Sequence, residues 1–189
     1  MGKRLVIGMS GASGAPLTVE LLRQLRKNHP EVESHLIVTK GAEMTLAQET
    51  DVSLDELKGL ASVCHGNGDI GASVASGSFK TMGMIVVPCS MKTVAGVVSG
   101  YSDNLLLRAA DVCLKERRKL VLVAREAPLS TVHLRNLYEA SQLGAVILPP
   151  VLTYYNHPES LADCTRHTVN RILSQFDLDE ESYQWEGMA

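Results

Sequence analysis

Two hydrophobic rhythms alternate along this chain. Short unbroken apolar runs recur at Leu5-Val6-Ile7-Gly8-Met9, at His35-Leu36-Ile37-Val38 behind its leading histidine, at Met84-Ile85-Val86-Val87-Pro88, at Leu120-Val121-Leu122-Val123 and at Ala145-Val146-Ile147-Leu148. Runs with no polar alternation predict strands buried on both faces, the pattern of a parallel sheet. Between them, apolar residues fall at helical spacing over residues 16–25, 42–48, 91–98, 104–117, 130–143 and 160–176. Pro30 stops the first of these helices. Ser53 and Glu56 have the spacing of a capping box and predict a further short helix to residue 60. Ser90 and Ser130 are placed as N-caps, and Gly144 as the residue just past a helix end. Residues 64–78, rich in Gly, Ser, Ala and Asn, read as a loop. Strands separated by helices predict one α/β domain over residues 1–189, its sheet covered on both faces.

In such folds ligands bind at the carboxyl ends of the strands. The segments there are residues 10–14, 39–40, 89–93, 125–126 and 154–157, and they are expected to converge on one crevice. The first contains Gly8-x-x-Gly11-x-x-Gly14 between a strand and a helix. Glycines let the backbone approach an anion, and the helix start offers N–H groups and a favourable dipole. Ser10 and Ser13 add hydroxyls. The alternative is a tight turn that only packs strand on helix. The spacing is not GxGxxG, and Thr39-Lys40 after the second run provides no acid for a ribose hydroxyl. A mononucleotide is therefore expected rather than a dinucleotide.

Pro88-Cys89-Ser90-Met91-Lys92-Thr93 is a second strand-to-helix junction, whose hydroxyls either bind a ligand or simply cap the helix. Cys89 reads as a small buried residue. Arg108, Asp111 and Lys115 share one helix face, a spacing that alone describes a solvated stripe. Arg125-Glu126 and Tyr155 directly follow strands and are aimed at the crevice. Glu49 ends a helix, where a carboxylate opposes the dipole, and such a placement hints at function.

Composition narrows the partners. The chain has 189 residues, 45% of them apolar, a net charge of -3 and 4% aromatics, so neither a basic face nor a base-stacking platform for nucleic acid is expected. Cys64, Cys89, Cys113 and Cys164 form no CxxC pair and read as reduced thiols. The histidines lack metal-ligand spacing, so no metal is expected. No apolar run is long enough for a membrane span or a secretory segment, and a cytoplasmic protein is expected.

Taken in order, Gly11-Ala12-Ser13-Gly14, Glu49-Thr50-Asp51, Ala75-Ser76-Gly77-Ser78, Pro88-Cys89-Ser90-Met91-Lys92-Thr93, Arg108-Ala109-Ala110-Asp111-Val112, Leu114-Lys115-Glu116-Arg117, Arg125-Glu126-Ala127-Pro128-Leu129, Tyr155-Asn156-His157-Pro158 and Asn170-Arg171-Ile172-Leu173 resemble the UbiX/Pad-type flavin prenyltransferases. The resemblance spans residues 3 to about 185, ending near Trp185.

It implies a Rossmann-like three-layer α/β/α flavoprotein fold with a mostly parallel sheet, shared with homo-oligomeric flavin-containing decarboxylases. It further implies a homododecamer with active sites at subunit contacts. Reduced FMN and dimethylallyl phosphate would be joined at flavin N5 and then C6, and the prenylated FMN passed to a UbiD-type decarboxylase.

FMN binding would fall on Gly11, Ala12, Ser13, Thr39, Ser90, Met91, Lys92, Thr93 and Arg125. Substrate phosphate would fall on Ser76, Gly77, Arg108, Lys115, Glu126, Tyr155 and Arg171. Ser13, Glu49, Lys115 and Glu126 would be catalytic, with Glu49 through Ser13, or the phosphate held by Glu126, removing the C6 proton. A raised pKa for a carboxylate beside the flavin is part of this expectation. The competing expectation is an FMN-dependent decarboxylase or its FMN-binding accessory subunit. The cysteine decarboxylases on this fold carry an Asn in a PASANT-like stretch, which residues 88–93 lack. An accessory subunit would have no need of the phosphate-binding cations.

Overall fold

The computed structural model describes residues 3–179 and residue 187; Trp185 lies outside them. Among the described residues the chain runs β1 (Lys3–Met9), α1 (Ala15–Asn28), β2 (Val32–Val38), α2 (Lys40–Glu49), α3 (Leu54–Leu60), β3 (Val63–Gly66), β4 (Gly83–Cys89), α4 (Met91–Ser99), α5 (Leu105–Lys115), β5 (Lys119–Ala124), α6 (Thr131–Gln142), β6 (Val146–Ile147) and α7 (Leu161–Leu173). The strands form one 6-stranded sheet in the order β3-β2-β1-β4-β5-β6. Every pairing is parallel. This is the Rossmann order, which reverses direction between β1 and β4.

Side chains of successive strand residues leave opposite faces of the sheet. Leu5, Ile7 and Met9 of β1 join a core with α1 and α7 residues such as Leu21, Leu22, Val169 and Ile172. Val6, Met84 and Val86 join a second core with Val94, Leu106 and Ala110 of α4 and α5. Helices therefore cover both faces, giving the three layers that the apolar runs predict.

The structure corrects the expected elements in four places. Residues 64–78 are not wholly loop: β3 adds an edge strand, and Ser73–Ala75 form one 3-10 turn. β2 begins at Val32 rather than at His35, and β6 is only two residues long. The α-helical part of the last helix stops at Leu173, with a 3-10 turn over Ser174–Phe176.

The first half of β2 is hidden in sequence because polar Glu33, Ser34 and His35 separate the buried Val32 from the apolar run that begins at Leu36. Ser34 and His35 are 4% and 2% exposed. They satisfy their polar groups sideways, toward β3. The Ser34 and Ser62 hydroxyls lie 3.3 Å apart, and each accepts the other's backbone N–H. His35 Nδ1 lies 3.0 Å from His65 Nε2 with the rings stacked, and His35 Nε2 lies 3.1 Å from Glu33 Oε1.

Burial holds the His35 pKa below the ordinary histidine value, with His65 and Arg4 acting in the same direction and Glu33 against it. Burial likewise lowers His65, opposed by Asp69. The unfolded chain therefore binds more protons just below the ordinary histidine pKa, and stability falls as pH drops through that range. Urea unfolding should show a lower midpoint at pH 5.5 than at pH 7.5, and His35→Gln should flatten that difference.

Candidate active site

The turn from β1 into α1 sets the site. α1 has Gly14 as its N-cap, at φ 127, a conformation that favours glycine, and no side chain of its own closes the helix start. Glu49, the last residue of α2, does so instead. Its Oε2 accepts the N–H of Gly14 at 2.8 Å and that of Ala15 at 2.9 Å. The charge that opposes the dipole of α2 thus sits on the positive end of α1.

Burial alone would raise the Glu49 pKa. The Gly14 N–H, the Ser13 hydroxyl, the Ala15 N–H and the charge of Arg125 outweigh burial and hold it below the usual carboxylate range. The expectation of a raised pKa is therefore corrected: Glu49 is an anion at neutral pH, in contact with Ser13 and within the field of Arg125.

Ser10 is corrected too. It is 1% exposed, and it donates to the Pro88 carbonyl at 3.0 Å while accepting the Ser90 N–H at 2.8 Å. It ties the two loops at the strand-order reversal together and offers nothing to a ligand.

Ser90 caps α4 by accepting the Thr93 N–H, and Thr39 caps α2 by accepting the Ala42 N–H. Met91 and Thr93 are buried, so their side chains belong to the packing and the start of α4 presents backbone amides. Lys92 is exposed on α4. It lines a cleft of about 490 Å³ with Tyr101, Arg135 and Glu139. Desolvation pushes the Cys89 thiol pKa up, so it carries no thiolate and matches its reading as a small buried residue.

Ser13, Gly14, Glu49 and Arg125 line a second cleft of about 440 Å³ with Leu152 and, from α7, Leu161, Cys164, Thr165 and Thr168. On the same side, exposed Glu126 follows Arg125. Tyr155 meets the His167 ring of α7 edge-on at 5.9 Å, and Arg171 stands one helical turn beyond His167.

The remaining residues are elsewhere. Arg108 donates to the Ala75 carbonyl at 3.1 Å and to Asp111 at 2.6 Å. Lys115 Nζ lies 2.6 Å from Glu116 Oε1. A Cβ on Gly77 would run into the Glu116 carboxylate and the Lys115 ammonium, so Ser76, Gly77 and Lys115 form one neighbourhood; Arg108 stands about 10 Å nearer the start of α5, which begins beside Asn67 just after β3.

That neighbourhood lies at the amino edge of the sheet. Lys115 precedes the first residue of β5, and Arg125 follows the last, with a strand of about 20 Å between them. The strand-end segments thus keep to the carboxyl edge, where Ser13, Gly14 and Arg125 share a cleft, while Gly77 and Lys115, which the resemblance assigns to the substrate phosphate, stand at the other edge. The helical spacing did show Arg108 and Asp111 on one face. It missed that Lys115 pairs with its neighbour Glu116 rather than with Asp111.

The carboxyl-edge residues fit a flavin mononucleotide. Gly11 lets two backbones approach closely, two helix starts face the strand-order reversal, and Arg125 supplies a cation beside an apolar and hydroxyl-lined cleft. Among the described residues no group of three or more His, Cys, Asp or Glu is placed to hold a metal, and no helix is long and apolar enough to cross a membrane.

Comparison with known proteins agrees with that geometry. Residues 1–172 match the flavoprotein family, and the chain belongs to it. Within it, the chain is 52% identical over 188 residues to the flavin prenyltransferase UbiX of Escherichia coli, covering 98% of this chain and 99% of that one. It is thus a UbiX-type flavin prenyltransferase, an enzyme that transfers a prenyl group to FMN.

Among solved structures it is similar to a dodecameric FMN-dependent UbiX-like decarboxylase from Escherichia coli, with 50% identity and a TM-score of 0.95, covering 97% of this chain and 100% of that one. It is also similar to AnUbiX (PadA1) in complex with FMN and dimethylallyl pyrophosphate, with 47% identity and a TM-score of 0.93, covering 98% of this chain and 100% of that one.

A Cβ built on Gly11 falls 2.9 Å from the Gly41 carbonyl carbon, whereas one on Gly41 meets Gly11 no closer than 3.3 Å. Gly11→Ala should therefore lower thermal stability by about 1–3 kcal/mol and weaken FMN binding in a fluorescence titration, while Gly41→Ala should do less of both.

Proposed function

We propose that this enzyme takes the dimethylallyl group of dimethylallyl phosphate and joins it to N5 and then C6 of reduced FMN, at sites completed by contact between subunits. The observation that carries the reading is the division of the site. Ser13, Glu49 and Arg125 occupy one edge of the sheet and Ser76, Gly77 and Lys115 the other, with Arg108 between them on α5. A complete site then needs the carboxyl edge of one subunit against the amino edge of another. The dodecameric state of the Escherichia coli neighbour supports this. So do the large apolar residues exposed on and beside α6 and α7, including Val132, Leu134, Tyr138, Tyr154 and Leu161. The product would serve a UbiD-type decarboxylase.

When bound, reduced FMN supplies the electron-rich ring that accepts the allylic carbon. The chain's own residues handle the phosphate and the proton. Arg108, Lys115 and Arg171 stabilise the departing phosphate, with Ser76, Gly77, Glu126 and Tyr155 orienting it. Arg108 and Lys115 are parked on Asp111 and Glu116 until an anion competes for them.

Ring closure breaks the prenyl double bond by adding to it a proton from the released hydrogen phosphate, and it requires loss of the C6 proton, so the two protons balance. Glu49 is ionised but weakly basic, because the α1 amides stabilise its charge. The released inorganic phosphate, as its dianion, is the stronger base. Glu49 and Ser13 then form a relay that takes the proton toward that phosphate, held beside Glu126.

The name of the Escherichia coli neighbour favours a second reading, an FMN-dependent decarboxylase or its accessory subunit. It would be carried by release of carbon dioxide from an aromatic acid in the absence of any dimethylallyl donor.

Anaerobic incubation with reduced FMN and dimethylallyl phosphate should yield a flavin heavier by one prenyl unit in mass spectrometry; an unchanged flavin from folded, FMN-loaded protein overturns the proposal. Glu49→Gln should keep FMN, lose about 1 kcal/mol of stability with the cap, and slow product formation by roughly 10²-fold or more. Loss of FMN binding alone would remove Glu49 from the catalytic set.

A further inference from the structure

We infer that Arg118 is the positioning residue of the substrate-phosphate subsite, clamping the Gly77 turn against the end of α5 so that Ser76, Gly77 and Lys115 share one neighbourhood. The inference rests on the phosphate-binding reading of those residues.

The placement of Arg118 begins with how α5 ends. Arg117 sits in the left-handed region at φ 55. Its N–H donates to the Leu114 carbonyl at 3.1 Å, and the N–H of Arg118 donates to the Cys113 carbonyl at 2.8 Å. These paired bonds are a Schellman motif, here with an arginine where glycine is usual. The motif folds the chain back under the helix, and Arg118 goes with it.

Its side chain is 9% exposed. Every hydrogen-bond acceptor of its guanidinium comes from a segment about forty residues earlier in the chain. Nη1 donates to the Phe79 carbonyl at 2.8 Å and lies 3.4 Å from Thr81 Oγ1, while Nη2 donates to the Gly77 carbonyl. The same Nη2 lies 4.0 Å from Glu116 Oε2, and the other oxygen of that carboxylate holds Lys115.

Two consequences follow, and they have the same sign. Without the fork, the carbonyls of Gly77 and Phe79 lose their donors, and the turn that presents Ser76 and Gly77 is no longer fixed. Without its charge, Glu116 is left to Lys115 and the weaker field of Lys80, and Lys115 then gives up less to an incoming phosphate. A lysine at this position has a single ammonium and no planar fork, so it cannot serve both carbonyls in the same geometry. The flavin-side residues Ser13, Glu49 and Arg125 stand at the other edge of the sheet and do not depend on this clamp.

The test uses full-length oligomer loaded with FMN, comparing wild type with Arg118→Lys and Arg118→Gln. Both variants should raise KM for dimethylallyl phosphate about tenfold or more, with kcat changed far less and FMN affinity unchanged. Amide hydrogen exchange over residues 73–80 should quicken, while exchange over residues 11–15 stays at the wild-type rate. An unchanged KM in folded, FMN-loaded Arg118→Lys overturns the inference. So does a fall in FMN affinity that keeps step with the rise in KM, which marks a general structural role. A wild-type enzyme that transfers no prenyl group overturns the phosphate reading itself, a result distinct from either variant outcome.

Discussion

The carboxylate of Glu49 across the first amides of α1 is the contact on which the rest of the site depends. An α-helix starts with N–H groups that lack partners, and Gly14 has no side chain to meet them. A residue from the end of the following helix meets them instead. One pair of hydrogen bonds therefore joins the negative end of α2 to the positive end of α1, closes the β1 turn and aligns Ser13 with Arg125. It also keeps Gly11 against Gly41, where the backbones are too close for a side chain between them. The charge is stabilised by the fold, and this makes Glu49 a weak base.

Sheet order determines what can gather around that contact. The reversal between β1 and β4 leaves a gap above the sheet, and Ser10 fastens its two rims through Pro88 and Ser90. The loops that directly follow β1 and β5 are on that side; the segments that lead directly into β4 and β5 are on the other. Lys115 and the Gly77 turn are consequently kept apart from the flavin loop by the length of β5, however close the sequence motifs look in a linear reading.

Much of this was legible before any coordinates. Unbroken apolar runs such as Leu120-Val121-Leu122-Val123 have only one comfortable home, a central parallel strand, and they appear as such. Glycine spacing and the absent ribose acid point to a mononucleotide, and the family to which the chain belongs binds FMN. The first half of β2 was not legible, because Ser34 is buried against Ser62, and a polar residue shows no sign of its partner in sequence. The role of Glu49 was only half visible: the unfavourable helix end could be seen, but not the helix start that compensates it. For Arg108 and Lys115, spacing suggested a solvated stripe, and the resemblance to a family altered that reading. The division of the site between edges follows from where α5 ends relative to β5.

That division has a genetic corollary. On the proposed reading, each subunit contributes its flavin side to one active site and its phosphate side to a different one. A subunit crippled at Glu49 still carries an intact phosphate half, and a subunit crippled at Lys115 still carries an intact flavin half. Two inactive forms of this chain, co-assembled, would regenerate a fraction of whole sites between them, as complementing alleles do. Damage at the two edges of a single sheet would then belong to separate complementation groups.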